Sequence, residues 1–131
     1  MSIGGHDVLL FDLDGVVYVG PNVVSSAREG ILAAIQQGAR CIYVTNNASR
    51  SAEQVAEHLR ELGIPAQDED VVTSSMAGAS LVSTFVSTGD VLAIGGPGVA
   101  QALRERGFNP VSKFSDSVVA VMQGYGPNVG W

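Results

Sequence analysis

The chain has 131 residues, 46% of them apolar and 15% charged, a balance that suits one modest buried core and excludes an intrinsically disordered segment. Thirteen acidic against seven basic residues leave a formal net charge of -6, which would repel a phosphodiester backbone and argues against nucleic acid as a partner. The single cysteine, Cys41, allows no intramolecular disulfide and sits in the apolar run Cys41-Ile42-Tyr43-Val44 as an inert buried thiol. No basic segment leads into an apolar stretch at the N-terminus, and no run approaches the roughly 18 apolar residues that span a bilayer. No membrane partner is expected, and the expected compartment is the cytoplasm.

Short β-branched and apolar runs alternate with segments of helical period, the pattern of parallel strands joined by crossover helices, so the expected class is α/β. Val8-Leu9-Leu10-Phe11 is apolar without alternation, as for a strand covered on both faces, and Asp12-Leu13-Asp14-Gly15 follows at its carboxyl end. Ser25-Ser26 can cap a helix running to about Gln37, Gly38 stops it, and Arg40 to Val44 supplies a second strand ending at Thr45-Asn46-Asn47. Ser51 opens a helix with Val55, Leu59 and Leu62 on one face, which Gly63-Ile64-Pro65 terminates. Val71 to Thr73 reads as a short strand and Ser75 to about Ser87 as a helix. The pattern restarts near Gly89-Asp90, with strands at Val91 to Ile94 and Val118 to Met122 around a helix from Gly98 to Arg106. It either extends the first sheet or begins another. A Gly- and Pro-rich connector from Gly124 to Trp131 follows, and Trp131 reads as the stub of a further core element.

Two aspartates two residues apart, at the end of a buried strand, repel each other and resist desolvation, so something positive should offset them. Mg²⁺ would do so, since it prefers oxygen ligands and uses one or two carboxylates with water and substrate phosphate. One carboxylate could attack phosphorus while the other protonates the departing oxygen and then activates water. Gly15 permits a sharp turn that exposes backbone N–H groups to phosphate oxygens. On chemistry alone, a phosphate or metal site and a merely solvated Asp-Leu-Asp-Gly turn both stand. Thr45-Asn46-Asn47 adds hydroxyl and N–H donors at a second strand end, where a doubly wound sheet can gather two loops over one crevice. Its bland reading is a helix approach, with Asn47 or Ser49 as the cap.

Taken together, Asp12-Leu13-Asp14-Gly15-Val16-Val17-Tyr18 and Tyr43-Val44-Thr45-Asn46-Asn47-Ala48-Ser49-Arg50 resemble the first two motifs of the haloacid dehalogenase superfamily. The nearer resemblance is to its NagD-like branch, which includes p-nitrophenylphosphatase, phosphoglycolate and glycerol-3-phosphate phosphatases. It continues through Leu62-Gly63-Ile64-Pro65, Asp70-Val71-Val72-Thr73-Ser74-Ser75 and the Gly-Tyr-Gly-Pro end. The resemblance implies a Rossmann-like parallel sheet in residues 1–87, the front of a catalytic core. It implies the first half of an inserted α/β cap domain in residues 88–131. It implies Asp12 as nucleophile and Mg²⁺ ligand, and Asp14 as acid and base offering its backbone carbonyl to the metal. Thr45 and Asn46 would bind the phosphoryl group, aided by N–H groups around Asp14 and Gly15; Asn47 is a lesser candidate. The family's later lysine and later acidic pair have no counterpart: Lys113, the only lysine, lacks the surrounding pattern.

The expected function is therefore Mg²⁺-dependent hydrolysis of a small phosphate monoester through an aspartyl-phosphate, by a longer polypeptide of which this chain is an inactive N-terminal part. The alternative is a noncatalytic phosphate or Mg²⁺ binding module. Two half domains would leave apolar surface and sheet edges uncovered. Oligomeric state stays open, including a homo-oligomer, because cap surfaces in this branch often carry dimer contacts. Gly95-Gly96-Pro97-Gly98 invites a dinucleotide reading, but it lacks the full glycine spacing and a later acidic partner, and an ordinary strand-to-helix turn is preferred. His6 near the terminus, and His58 on what reads as a solvated helix face, have no catalytic partners nearby in sequence.

Overall fold

The structure is a computed structural model and describes residues 6–129, so Trp131 lies outside the described residues. The chain packs as two compact units, one formed by residues 1–45 and 52–72 and the other by residues 46–51 and 73–131. Each is built from parallel strands and connecting helices, the α/β class expected from the alternating pattern.

In the first unit, β1 (Val8–Asp12) is followed by a two-stranded hairpin, β2 (Tyr18–Val19) and β3 (Asn22–Val23). Then come α1 (Ser25–Gln36), β4 (Arg40–Thr45), α2 (Ala52–Glu61) and β5 (Val71–Thr73). The sheet order is β1-β4-β5, with β1 and β4 parallel and Asp12 in register with Val44. Ile31 and Ala34 of α1 and Val55, Ala56 and Leu59 of α2 join Leu13, Cys41, Tyr43 and Val71 in one core. Leu9 and Phe11 pack against it from β1. The opposite face is open: Val8, Leu10, Val44 and Val72 are exposed, Leu10 by 70%.

The expectation that Val8 to Phe11 is covered on both faces is thus corrected. Both helices, α1 and α2, contribute to one core with the inward residues of β4, so they cover the same face of the sheet. A continuous apolar run shows that both faces need covering, not that the described residues supply both covers. Ser25 is likewise no side-chain cap. α1 starts at Ser25 after Val24, whose N–H is taken by the Val17 carbonyl at 2.9 Å, and no side chain caps the helix there.

In the second unit, α3 (Ser74–Phe85) precedes β6 (Asp90–Ile94), α4 (Pro97–Glu105), β7 (Asn109–Val111) and β8 (Val118–Gln123). These strands form a separate sheet of order β7-β6-β8, parallel throughout. β7 carries Pro110, which lacks an N–H and is tolerated because β7 lies at the sheet's edge. Ala79, Val91, Val99, Ala102, Leu103, Phe108 and Met122 form the core, together with Ala48 from the segment between β4 and α2. α3 is entered without a loop: Thr73 accepts from the Met76 N–H through its side chain at 3.2 Å.

Candidate functional site

β1 carries the chain outward and ends at Asp12, which is exposed. A tight turn follows: the Leu13 carbonyl accepts from the N–H groups of Val16 (3.2 Å), Val17 (2.9 Å) and Tyr18 (3.3 Å). Leu13 and Val17 are fully buried, so the turn is anchored by its apolar residues while Asp14 and Gly15 face outward. Gly15 has a φ of 84°, a conformation in which any side chain is strained, and open space where a Cβ would stand. Its N–H donates to the Tyr18 carbonyl at 2.8 Å. In this conformation Gly15 shapes the turn, and its N–H is already engaged.

The neighbouring strand β4 ends one step further on, since Asp12 pairs with Val44. Thr45 is only 3% exposed, and its hydroxyl donates to Asp14 Oδ2 at 3.5 Å, the outer limit of a hydrogen bond. Of the residues singled out in the sequence, Asp12, Asp14, Gly15 and Thr45 therefore share the carboxyl ends of two adjacent strands. Asn46 is exposed and opens the second unit, where its carbonyl accepts from Ser74 Oγ at 2.7 Å. Asn47 is used locally: its side-chain oxygen accepts from both the N–H (2.8 Å) and the hydroxyl (2.7 Å) of Ser49. Both aspartates lie in the open. Two aspartates suit Mg²⁺, which completes its shell with water and phosphate oxygens. Among the described residues no group of three His, Cys, Asp or Glu side chains converges, so the pair supplies only part of a protein-built metal shell.

Three features escaped the sequence. The β2–β3 hairpin, which follows the aspartate turn directly, was signalled by Gly20-Pro21 between Tyr18-Val19 and Asn22-Val23. In sequence Ser75 reads as a helix start and Ser74 has no assigned role, but both bind backbone carbonyls of the segment after Thr45. His58 is not on a solvated face: its ring meets Tyr18 edge-on at 5.0 Å, and its side chain is 19% exposed. At the other end of β4, a cleft of about 220 Å³ near Arg40 and Asp70 holds Cys41. Burial first, and Asp70 second, push that thiol above its ordinary range, which favours the inert protonated form.

Comparison with known proteins fits this geometry. Over 127 residues the chain is 42% identical to the D-glycerol 3-phosphate phosphatase of Mycobacterium tuberculosis, covering 96% of this chain and 35% of that protein. It is 41% identical over 103 residues to the acid sugar phosphatase of Staphylococcus aureus, covering 79% of this chain and 40% of the relative. The crystal structure of the Mycobacterium tuberculosis glycerol phosphate phosphatase in complex with magnesium superposes with a TM-score of 0.85 at 41% identity. The match covers 96% of this chain and 38% of that one. The chain thus spans 35 to 40% of the length of these curated relatives. The profile of the haloacid dehalogenase-like hydrolases matches residues 9–109, most of the chain and both aspartates, and the chain belongs to that family.

Proposed function

We propose that the chain carries the nucleophile-bearing front of a phosphatase that hydrolyses a small phosphate monoester. The observation that carries this is the grouping of Asp12, Asp14 and the Thr45 hydroxyl at two adjoining strand ends, with Thr45 donating to Asp14. An Asp12 carboxylate oxygen attacks phosphorus, and the ester oxygen leaves as an alcohol with the proton of Asp14. Asp14, now ionised, takes a proton from water as that water attacks the aspartyl-phosphate, releasing inorganic phosphate and restoring both carboxyl groups. Thr45 and Asn46 hold the peripheral phosphoryl oxygens, and Gly15 keeps the turn tight enough for a phosphate to approach its backbone. Mg²⁺, held by Asp12 and the Asp14 carbonyl, would offset the negative charge of carboxylates and phosphate. The relative solved with magnesium supports that choice of ion.

In this reading residues 1–87 are the front of the catalytic core and residues 88–131 the first half of a cap, in a polypeptide of the relatives' length working in the cytoplasm. Glycerol phosphate and sugar phosphates are the first substrates to try, because the relatives are named for them. Mg²⁺-dependent turnover of p-nitrophenyl phosphate by the complete gene product, abolished by Asp12→Asn, is the expected result. An intact, folded wild type without such turnover overturns the proposal. A second reading for the 131-residue chain alone is phosphate or Mg²⁺ binding without turnover, in which the Asp12 and Asp14 oxygens and the Thr45 hydroxyl, grouped at two adjoining strand ends, would serve as ligands only. There Asp12→Asn should change affinity and no rate.

A further inference from the structure

The segment from Asn46 to Arg50, which follows Thr45, is pinned residue by residue inside the second unit. Ser74 Oγ donates to the Asn46 carbonyl at 2.7 Å, and the fully buried Ser75 Oγ donates to the Ala48 carbonyl at 2.8 Å. The Gly98 N–H donates to the Ser49 carbonyl at 3.0 Å. Three carbonyls out of four successive residues are thus held by groups distant in sequence. Asn47 closes the segment on itself through its two bonds from Ser49.

The turn after β6 touches the same segment with no room to spare. A Cβ on Gly96 would stand 2.6 Å from both the Cα and the carbonyl oxygen of Ser49. One on Gly98 would overlap the Arg50 carbonyl and stand 2.7 Å from the Ala48 oxygen. Backbone lies directly on backbone there, which only glycine permits. The glycines that suggested a nucleotide loop are occupied by a piece of this chain.

We infer that Ser74, Ser75 and the Gly96–Gly98 turn are positioning residues: they template the Asn46–Arg50 segment that continues directly from Thr45, and so fix the conformation in which Asn46 is held for binding a phosphoryl group. A segment whose donors must be aimed before the reaction gains from being held in advance, because reorganising it during phosphoryl transfer would add to the barrier. Three bonds from distant residues and two within the segment, with two glycine contacts, over-determine the shape of these five residues. This inference rests on the phosphatase reading and adds to it a role for α3 and the β6 turn.

The test has two readouts. In the 131-residue chain, amide hydrogen exchange is followed at Ser49 and Gly98 in wild type, Ser74→Ala, Ser75→Ala and Gly98→Ala, with the α1 amides as internal reference. About tenfold faster exchange at Ser49 or Gly98, with α1 unchanged, is expected; unchanged exchange at both in every variant overturns the template. In the complete gene product, Ser74→Ala should lower kcat for p-nitrophenyl phosphate about tenfold and leave KM within about twofold. Ser74→Thr, which keeps the hydroxyl at a half-buried position, should restore it, and Ser83→Ala, far along α3, should change nothing. Ser74→Ala folds without steric conflict, so the test survives if Gly98→Ala does not fold. Faster exchange with unaltered kcat overturns the positioning role. A wild type without turnover sinks the phosphatase reading itself, whereas an active wild type with unaffected variants sinks only this inference.

Discussion

The turn after β1 and the turn after β6 both leave the carboxyl end of a parallel strand through glycine, yet their surroundings are opposite. A side chain on Gly15 would meet nothing within 4 Å, whereas one on Gly96 or Gly98 would strike the backbone of Ser49 or Arg50. The first turn keeps Asp12 and Asp14 exposed and is anchored from beneath by the buried Leu13 and Val17. The second buries its glycines against another segment and leaves no room for a ligand there. In an α/β sheet, a glycine turn at a strand end is a site only if the space above it stays open. The expected consequence is a division of effects: changes at the open turn reach the reacting groups directly, and changes at the closed turn act through packing, on stability and on the segment it holds.

The largest effect expected is on turnover. Asp12→Asn should lower kcat of the complete gene product by roughly a thousandfold or more, because an amide neither attacks phosphorus nor balances Mg²⁺. The same substitution in the 131-residue chain should move the unfolding free energy by only about 0.5 kcal/mol, as expected at an exposed position. It removes one of two neighbouring negative charges. A loss of several kcal/mol on denaturant unfolding would break the contrast, by showing that the open turn also holds the fold.

Gly98→Ala should destabilise by about 1–3 kcal/mol or more, the range for forcing volume into a packed site. Gly15→Ala should cost about 1–2 kcal/mol, from its left-handed conformation alone, with no clash. Urea unfolding of the two variants side by side separates these origins. Gly15→Asn, whose side chain tolerates that conformation better, should recover part of the loss. The corresponding Gly98→Asn should be worse than alanine, since its defect is space. Equal behaviour of the two positions would dissolve the distinction between open and closed turns.

Much of this was legible beforehand because local signals and tertiary demands agree in most elements. Arg40 to Val44 is β-branched, apolar and preceded by Gly38, and it folds as the strand β4 (Arg40–Thr45). The Asp12 and Thr45 strand ends adjoin as parallel pairing requires. Expectation failed where a residue's partner lies far along the chain. Ser75 looks like any helix-opening serine until the Ala48 carbonyl is seen above it, and Gly95-Gly96-Pro97-Gly98, the strand-to-helix turn expected, gives no sign in sequence that Ser49 packs against its glycines. His58 shows the same limit, for its charged neighbours at Glu57 and Glu61 announced a wet surface, but Tyr18 comes in from the hairpin to cover it. The continuous apolar run of β1 correctly signalled a strand, but among the described residues the cover it implied for both faces is found on one, and Leu10 stays exposed.

The smallest effect sharpens the comparison from the closed side. Tyr43 is fully buried beneath the sheet that carries Asp12, and its hydroxyl donates to the Pro65 carbonyl at 2.9 Å. Tyr43→Phe should cost about 1 kcal/mol near pH 7, the usual net worth of such a bond. Turnover should be unchanged, because the hydroxyl points to a loop carbonyl. Burial above all, then Cys41 and Asp70, raises the phenol of Tyr43 above its ordinary 10.0, and burial, then Asp70, raises the thiol of Cys41 above 9.0. Both groups are neutral when protonated, and folding favours that form. Their contribution is complete below the unfolded-state values and disappears as pH rises through the higher folded-state ones. Wild-type stability should thus begin to fall near pH 9 and fall faster above pH 10, following those ordinary values. In Tyr43→Phe only the Cys41 share remains, so the penalty of the substitution should shrink as pH rises above 10, which denaturant unfolding at pH 7, 9 and 10.5 would measure. A constant penalty across that series would mean that the buried phenol is not what resists ionisation.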